Sequence, residues 1–473
     1  MLGWIYWASD WIIRGVMTPI VVRRRQPSTA LAWLAVIYIF PWIGLVLYLM
    51  VGTRRLGRRR ALRRDLALRH VFDNRRSEVV KERVFRPDID PKQHDIVRLA
   101  QQLADFPILG GNEAEAISAT DKMIQCLIAD INKAKSHVHL LYYIYENDET
   151  GARVAQALIE AAKRGVKCRV IVDHVGSRGM LSRMAPEMRA AGVEVVPLLV
   201  VNPLRILFAR IDLRNHRKLA IIDGEVAYAG SQNIVNPNYG HKRGGKWLDL
   251  TLRLRGPVVH QLQLVFLEDW FSETNACLDT PDLFPPVPTK GEVPIQIVPS
   301  GPTFDVTNIQ DLFVAAIHEA ERHIVMTTPY LVPSESLITA LRVAALRGVK
   351  VDIIMPKKSD QRLTDAAARA FFHDLIETGI NIHLHSGGLL HAKTITIDDA
   401  FALVGSANFD TRSFQLNFEL TLLLFGQQVT DLIRWCQHGY MERATAVDRE
   451  RWINRPKYLQ VLDDLAKLLG PLL

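Results

Sequence analysis

The sequence places an imidazole and an ammonium two residues apart twice, in Asn215-His216-Arg217-Lys218 and in His391-Ala392-Lys393. In each copy an aspartate follows the histidine by seven residues (Asp223, Asp398), and a Gly-Ser-x-Asn run supplies Ser231 and Asn233, or Ser406 and Asn408. On a strand, residues i and i+2 share a face, so each histidine emerges beside its lysine. An imidazole serves as nucleophile or general acid, and an ammonium beside it neutralises an anionic oxygen. Serine and asparagine on the following strand offer neutral donors to the same anion. One His-x-Lys would be noise, whereas two copies with matching downstream spacing are specific. Asp223-Gly224 also has the sequence of a hairpin turn, so turn chemistry accounts for Asp223 and Asp398 as well as a catalytic role does. Asp249 and Glu419 each interrupt an apolar, strand-like run (Trp247-Leu248-Asp249-Leu250 and Asn417-Phe418-Glu419-Leu420), where an unpaired charge is costly. Pairing with an imidazole N–H would offset that cost and fix the ring tautomer, the alternative being an ion pair with a neighbouring arginine.

The elements that must position these groups read as an alternation. Strand-like HVHLLYYIY (137–145), helix-like VAQALIEAAKRG (154–165) and strand-like VKCRVIVD (166–173) are matched later by HIVMTTPYL (323–331), LITALRVAALRG (337–348) and VKVDIIMP (349–356). Arg164-Gly165-Val166-Lys167 recurs as Arg347-Gly348-Val349-Lys350. The pattern predicts an α/β fold of two similar domains with layered sheets, at 95–280 and 295–473. The proline-rich stretch 281–294 between them predicts an exposed linker with neither helix nor central strand.

The N-terminal end differs in kind. Residues 1–70 carry 12 Arg, no Lys and two acids, whereas the other 403 residues hold 46 basic and 48 acidic side chains. The net charge of +8 therefore belongs to that end. The body lacks the basic stripe with interleaved aromatics that nucleic acid requires, so no nucleic-acid partner is expected. Ala30–Gly52 is uncharged over 23 residues, which as a helix would reach about 34 Å and cross a ~30 Å hydrocarbon layer, kinked at Pro41. Residues 1–22 are apolar but contain Asp10 and Arg14, as a second span, a half-hairpin or an interfacial helix would. No cleavable leader pattern precedes them. Arg23–Arg25 and the eight arginines between Arg54 and Arg69 flank the apolar segment, and the larger downstream cluster places the C-terminal part in the cytoplasm. Residues 1–70 are thus expected to be a membrane anchor. Cys126, Cys168, Cys277 and Cys436 are too scattered for a disulfide framework or a zinc site and read as buried apolar residues of a reducing compartment. LLVVNPLRILFARI (198–211) reads either as a lipid-dipping segment or as an ordinary strand and loop.

The paired His-x-Lys-x4-Asp motifs with Gly-Ser-x-Asn resemble the phospholipase D superfamily over residues 95–445. RRRQPSTALAWL, Thr328-Pro329-Tyr330, Gly387-Gly388-Leu389-Leu390-His391 and Asn417-Phe418-Glu419 resemble its bacterial, membrane-anchored cardiolipin synthases. The resemblance implies two tandem phospholipase D-like domains related by a pseudo-twofold axis and sharing one site. It implies phosphatidyl transfer between two phosphatidylglycerol molecules, through a phosphohistidine, at the cytoplasmic side of the bacterial inner (cell) membrane. By that analogy His216 is the nucleophile and His391 the acid, with the reverse assignment open. Lys218, Lys393, Ser231, Ser406, Asn233 and Asn408 would hold phosphoryl oxygens, and Asp249 and Glu419 would orient the histidines. No metal or other cofactor is expected, since lysines can meet the charge, no carboxylate cluster has Mg²⁺ spacing and no G-x4-G-K-[ST] loop is present. The rival expectation is a membrane-tethered phosphodiesterase or nuclease using the same histidine chemistry. The sequence sets no oligomeric state.

Overall fold

The computed structural model describes residues 2–23, 27–52, 87–201, 210, 212–239, 245–278, 280–286, 289–302 and 308–467. Arg24, Arg25, the arginines between Arg54 and Arg69, and 202–209 with 211 lie outside the described residues. The chain forms two compact units, Met1–Leu62 with Val200–Leu213, and Arg63–Leu199 with Arg214–Leu473.

In the larger unit the apolar, β-branched runs build one continuous 15-stranded sheet. Its order begins Glu194–Leu198, Lys167–Asp173, His137–Tyr142, Lys218–Ile222, Val226–Gly230, Thr251–Arg255, Leu109–Ile117. It continues Val293–Ser300, Glu419–Phe425, Phe401–Gly405, Thr394–Ile397, His323–Thr327, Lys350–Pro356, Asn381–His385, Ala444–Ala446. The next seven strands repeat the first seven in mirrored order, with Ala444–Ala446 added at the edge, and the halves meet where Leu109–Ile117 pairs antiparallel with Val293–Ser300. The two repeats are therefore not separate sheets, because the backbone hydrogen bonds run through their junction. The stretch expected as linker holds a short 3₁₀ turn, Pro281–Leu283 with Leu283 buried, and yields its last residues to the strand Val293–Ser300.

The repeated Arg-Gly-Val-Lys has a local cause. Gly165 and Gly348 end the helices Glu149–Lys163 and Glu335–Leu346 at φ of 90° and 92°, the left-handed conformation that glycine adopts without a Cβ clash. The next residue closes the turn, with Val166 N–H donating to Ala161 O and Val349 N–H to Ala344 O, both at 3.1 Å. Both valines are buried, and the lysines start the next strands.

The smaller unit contains the helices Leu2–Val22, Pro27–Ile39 and Pro41–Leu47 and a π-helical turn Tyr48–Gly52. Ile13, Met17, Val21, Ala30, Ile37 and Tyr48 form its inner cluster. Arg14 reaches the Tyr38 carbonyl at 3.1 Å. The expected continuous helix across Ala30–Gly52 does not form, since Phe40 leaves the helical conformation (φ −130°, ψ 78°) ahead of Pro41, as a pre-proline residue tends to. Among the described residues no helix is long and apolar enough to cross a membrane. Cys168 and Cys436 are buried as expected, whereas Cys126 is half-buried and Cys277 exposed.

Candidate active site

His216 and Lys218 stand at the entry of the strand Lys218–Ile222, and His391 and Lys393 just before Thr394–Ile397. Each histidine segment is stitched to the carboxylate segment of the other half. Asn215 forms a parallel bridge with Phe418, and His216 N–H donates to Phe418 O at 2.8 Å. Leu389–Leu390 pairs in parallel with Trp247–Leu248, and His391 N–H donates to Leu248 O at 2.8 Å.

That exchange decides the side-chain partners. His391 Nδ1 lies 2.7 Å from Asp249 Oδ1, and His216 Nδ1 lies 3.1 Å from Glu419 Oε2 and 3.1 Å from the Ser406 carbonyl. A carboxylate from one half thus serves the imidazole of the other. All four groups are buried. Burial opposes ionisation of Asp249, but His391, Lys393 and the Ser231 hydroxyl outweigh it and hold the carboxyl below its ordinary value. Glu419 is held down against burial in the same way by His216, Lys218 and Ser406. Burial first, then the lysine charges, pushes both imidazoles below the usual histidine value. Each pair is therefore a neutral imidazole donating Nδ1–H to a carboxylate, which leaves the Nε2 lone pair for chemistry.

Each ammonium donates to the carbonyl of its own histidine at 2.5 Å, Lys218 to His216 and Lys393 to His391. Burial lowers Lys218 to about 8 and Lys393 to about 7, with Asp249 and Glu419 opposing the shift in both. The charge of Lys393 acts on His216 and that of Lys218 on His391, so the two couples share one electrostatic environment. Two cations and two unprotonated Nε2 atoms suit a single anionic phosphorus centre.

The serines take a different place from the one expected. Ser231 Oγ donates to Asp249 Oδ1 at 2.7 Å while accepting Leu250 N–H at 3.0 Å. Ser406 Oγ donates to Glu419 Oε2 at 2.5 Å while accepting Leu420 N–H at 3.0 Å. With donor and acceptor both engaged, these hydroxyls hold the orienting carboxylates and not phosphoryl oxygens. Asn233 accepts Ile144 N–H at 3.1 Å through Oδ1 and keeps its buried Nδ2 without a partner among the described residues, as a phosphoryl donor would. Asn408 donates to the Asp410 carboxyl, so the two asparagines are not equivalent.

Asp223 and Asp398 lie apart from this chemistry. Asp223 accepts the backbone N–H groups of Lys135, Ser136 and His137 at 2.8–2.9 Å. Asp398 accepts those of Glu321, Arg322 and His323 at 2.7–2.8 Å. Both have positive φ, 53° and 49°, at the turn closing each hairpin. Asp223 lies five residues along the chain from Lys218, about 17 Å at 3.3 Å per residue. Their role is to dock each hairpin on the start of the neighbouring strand.

Several contributors escape the sequence pattern. Arg217, fully buried, donates to Asp269 Oδ2 at 2.9 Å and to the Glu419 carbonyl at 3.1 Å, and Asn215 Nδ2 donates to the same Asp269 oxygen at 3.0 Å. A buried arginine between His216 and Lys218 signals a hidden acid, but its partner sits on the helix Val258–Thr274, beyond any local spacing. Tyr143 packs its ring 4.8 Å from His216, and Trp247 lies 4.4 Å from His391. No group of metal-ligating side chains occurs among the described residues.

The fold and the duplicated dyads place the chain in a known class. A model described as "Cardiolipin synthase, PLD-like domain" matches residues 127–270 and 313–436, and one described as "Phospholipase_D-nuclease N-terminal" matches 4–52. Cardiolipin synthase A of Klebsiella pneumoniae strain 342 is 36% identical over 485 residues, covering 100% of this chain and 99% of that protein. Its counterpart in Cronobacter sakazakii is 36% identical over 502 residues with the same coverage. A crystal structure of phosphatidylserine synthase from Haemophilus influenzae Rd KW20 shares the fold, with TM-score 0.61 and 15% identity over 80% of this chain and 100% of that one. The chain belongs to the cardiolipin synthase family of phospholipase D-like proteins.

Proposed function

We propose that this protein is a phosphatidyltransferase that makes cardiolipin and glycerol from two phosphatidylglycerol molecules through a phosphohistidine. The observation that carries the reading is the crossed pair of carboxylate–imidazole dyads, each with its lysine, contributed by both halves. Full-length similarity to cardiolipin synthases supports the substrate class.

In the donor step, His216 Nε2 attacks the phosphorus of the first phosphatidylglycerol. The phosphorus–glycerol bond breaks, and the leaving oxygen takes a proton from His391 Nε2. His391 is neutral in the resting site, and the bound phosphodiester anion favours its protonation. In the acceptor step, the terminal hydroxyl of a second phosphatidylglycerol gives its proton to His391 and attacks phosphorus opposite His216. The nitrogen–phosphorus bond breaks and cardiolipin leaves. Lys218, Lys393 and Asn233 Nδ2 meet the charge on the phosphoryl oxygens, while Asp249 and Glu419 hold the rings in one tautomer. Exchange of one phosphodiester for another needs no external energy source.

The smaller unit supports a membrane location. Trp4, Ile5, Tyr6, Trp7, Trp11 and Ile12 on its first helix, and Trp42 and Ile43 on its third, are exposed, whereas a surface bathed in water is rarely so apolar. We infer that residues 1–70 engage the bilayer and keep the enzyme beside its lipid substrates, with the catalytic domains on the cytoplasmic side.

Incubating detergent-solubilised protein with phosphatidylglycerol labelled in its headgroup tests the reading. Cardiolipin with released labelled glycerol is the expected result. Phosphatidic acid as the only lipid product would overturn it in favour of a hydrolase.

A further inference from the structure

Once His216 carries the phosphatidyl group, any hydroxyl that reaches His391 can complete the reaction, and water is far more abundant than a lipid alcohol. With water, His391 Nε2 takes one proton, the oxygen bonds to phosphorus, the nitrogen–phosphorus bond breaks and phosphatidic acid leaves. With the hydroxyl of phosphatidylglycerol the same sequence gives cardiolipin. The two outcomes share every bond made and broken at phosphorus, so the surroundings of His391 decide between transfer and hydrolysis.

The two histidines differ in those surroundings. Trp247 and Asn417 each stand two residues ahead of an orienting carboxylate, Asp249 or Glu419. Asn417 turns its Nδ2 to Glu419 Oε1 at 3.3 Å, and its buried Oδ1 has no partner among the described residues. The matching position at His391 holds an indole instead, with ring centroids 4.4 Å apart and the planes tilted by 41°. That is direct contact, with no space for water between the rings. Tyr239 meets the indole edge-on at 5.5 Å. His216 also has an aromatic neighbour, Tyr143, but the Lys218 ammonium lies 5.3 Å from that ring's centroid. An amide and a cation thus border the His216 side, and packed rings border the His391 side.

The backbone fixes the indole in register with His391. Trp247 N–H donates to Pro237 O at 2.8 Å, and Lys246 O accepts Leu389 N–H at 2.9 Å. Leu248 O accepts both His391 N–H at 2.8 Å and Ala392 N–H at 3.0 Å. Gly388 permits this approach: its φ is 141°, and a Cβ there would lie 2.3 Å from Lys246 O. Both the indole and the imidazole are buried.

We propose that Trp247 selects a lipid alcohol over water at His391. The indole covers one face of the imidazole and leaves the approach to a hydroxyl carried on carbon, which packs against an aromatic ring as water does not. The inference rests on the phosphatidyl-transfer reading and assigns the preference for transfer to one side chain.

The test follows acyl-labelled phosphatidylglycerol in mixed micelles with the full chain, and reads cardiolipin and phosphatidic acid separately. Trp247→Ala is expected to raise phosphatidic acid formation per folded molecule about tenfold, the rate equivalent of one aromatic contact, while cardiolipin formation falls. Trp247→Phe should return both rates most of the way to those of the wild type. A purely structural role would depress the two products together. Unchanged or reduced phosphatidic acid formation in Trp247→Ala would overturn the assignment, even where cardiolipin is lost. If thermal melts show that Trp247→Ala does not fold, Trp247→Leu replaces it under the same criteria. Wild-type protein that gives phosphatidic acid without cardiolipin would instead defeat the phosphatidyl-transfer reading.

Discussion

A carboxylate bonded to Nδ1 decides whether each histidine presents Nε2 as a lone pair or as N–H. Asp249→Asn and Glu419→Gln keep the shape but allow the wrong tautomer, so each should lower kcat by about 10²- to 10⁴-fold without unfolding the protein. Steady-state rates beside thermal melts check this, and a loss below tenfold in either variant would remove the carboxylate from catalysis. The buried lysines set a second expectation. Lys393 and Lys218 titrate at about 7 and about 8 in the free site, so kcat/KM should fall as pH rises through 7 to 8. The limb in kcat should lie higher, because bound phosphodiester favours the ammonium; a flat kcat/KM profile from pH 6 to 9 would contradict it. At this scale the histidines and lysines were legible because they recur in register, and the carboxylates because a charge in an apolar strand demands a partner. Which histidine each carboxylate serves was not legible, because the pairing crosses between halves. The serines misled for a simpler reason: a hydroxyl donates equally well to a phosphate or to a carboxylate, and only its neighbours decide which.

Elements explain why those groups are held so closely. The Asn215-x-Arg217 run locks its segment to Asp269 and to the Glu419 backbone, so Arg217→Ala leaves an unpaired buried acid. The expected loss is about 3–5 kcal/mol of stability, read from denaturant midpoints, whereas an unchanged midpoint would deny the latch. Asp223 tests the opposite assignment. Asp223→Ala removes three backbone bonds at the far end of the strand, so it should lower the melting temperature while turnover per folded molecule stays within a few-fold. An unchanged melting temperature with abolished turnover would return Asp223 to the catalytic set. The repeated Arg-Gly-Val-Lys gave away the helix ends, because a left-handed residue there selects glycine. The break at Phe40–Pro41 was harder to read, since an apolar run records hydrophobicity but not whether the helix survives the proline.

Across the whole molecule, one sheet carries both halves and neither half holds a complete dyad. The composition located the basic surplus and the alternation located the strands. That the repeats would merge edge to edge was not legible, because pairing between Leu109–Ile117 and Val293–Ser300 depends on chain positions about 180 residues apart. The buried histidines give the fold a common acid sensitivity. His216, His391 and His137 are held below their ordinary value, His137 at about 4, so the unfolded chain binds more protons in the interval beneath about 6.5. Stability should therefore rise with pH across that interval and be lost as pH falls from 6.5 toward 4. A melting temperature independent of pH there would contradict the neutral, buried imidazoles. The central claim is that both dyads serve one phosphorus atom, and its most direct test is a count. Enzyme quenched during turnover and weighed intact should carry at most one phosphatidyl group per chain, attached to a single histidine. Two groups on one chain, one on His216 and one on His391, would mean two separate sites and contradict the account.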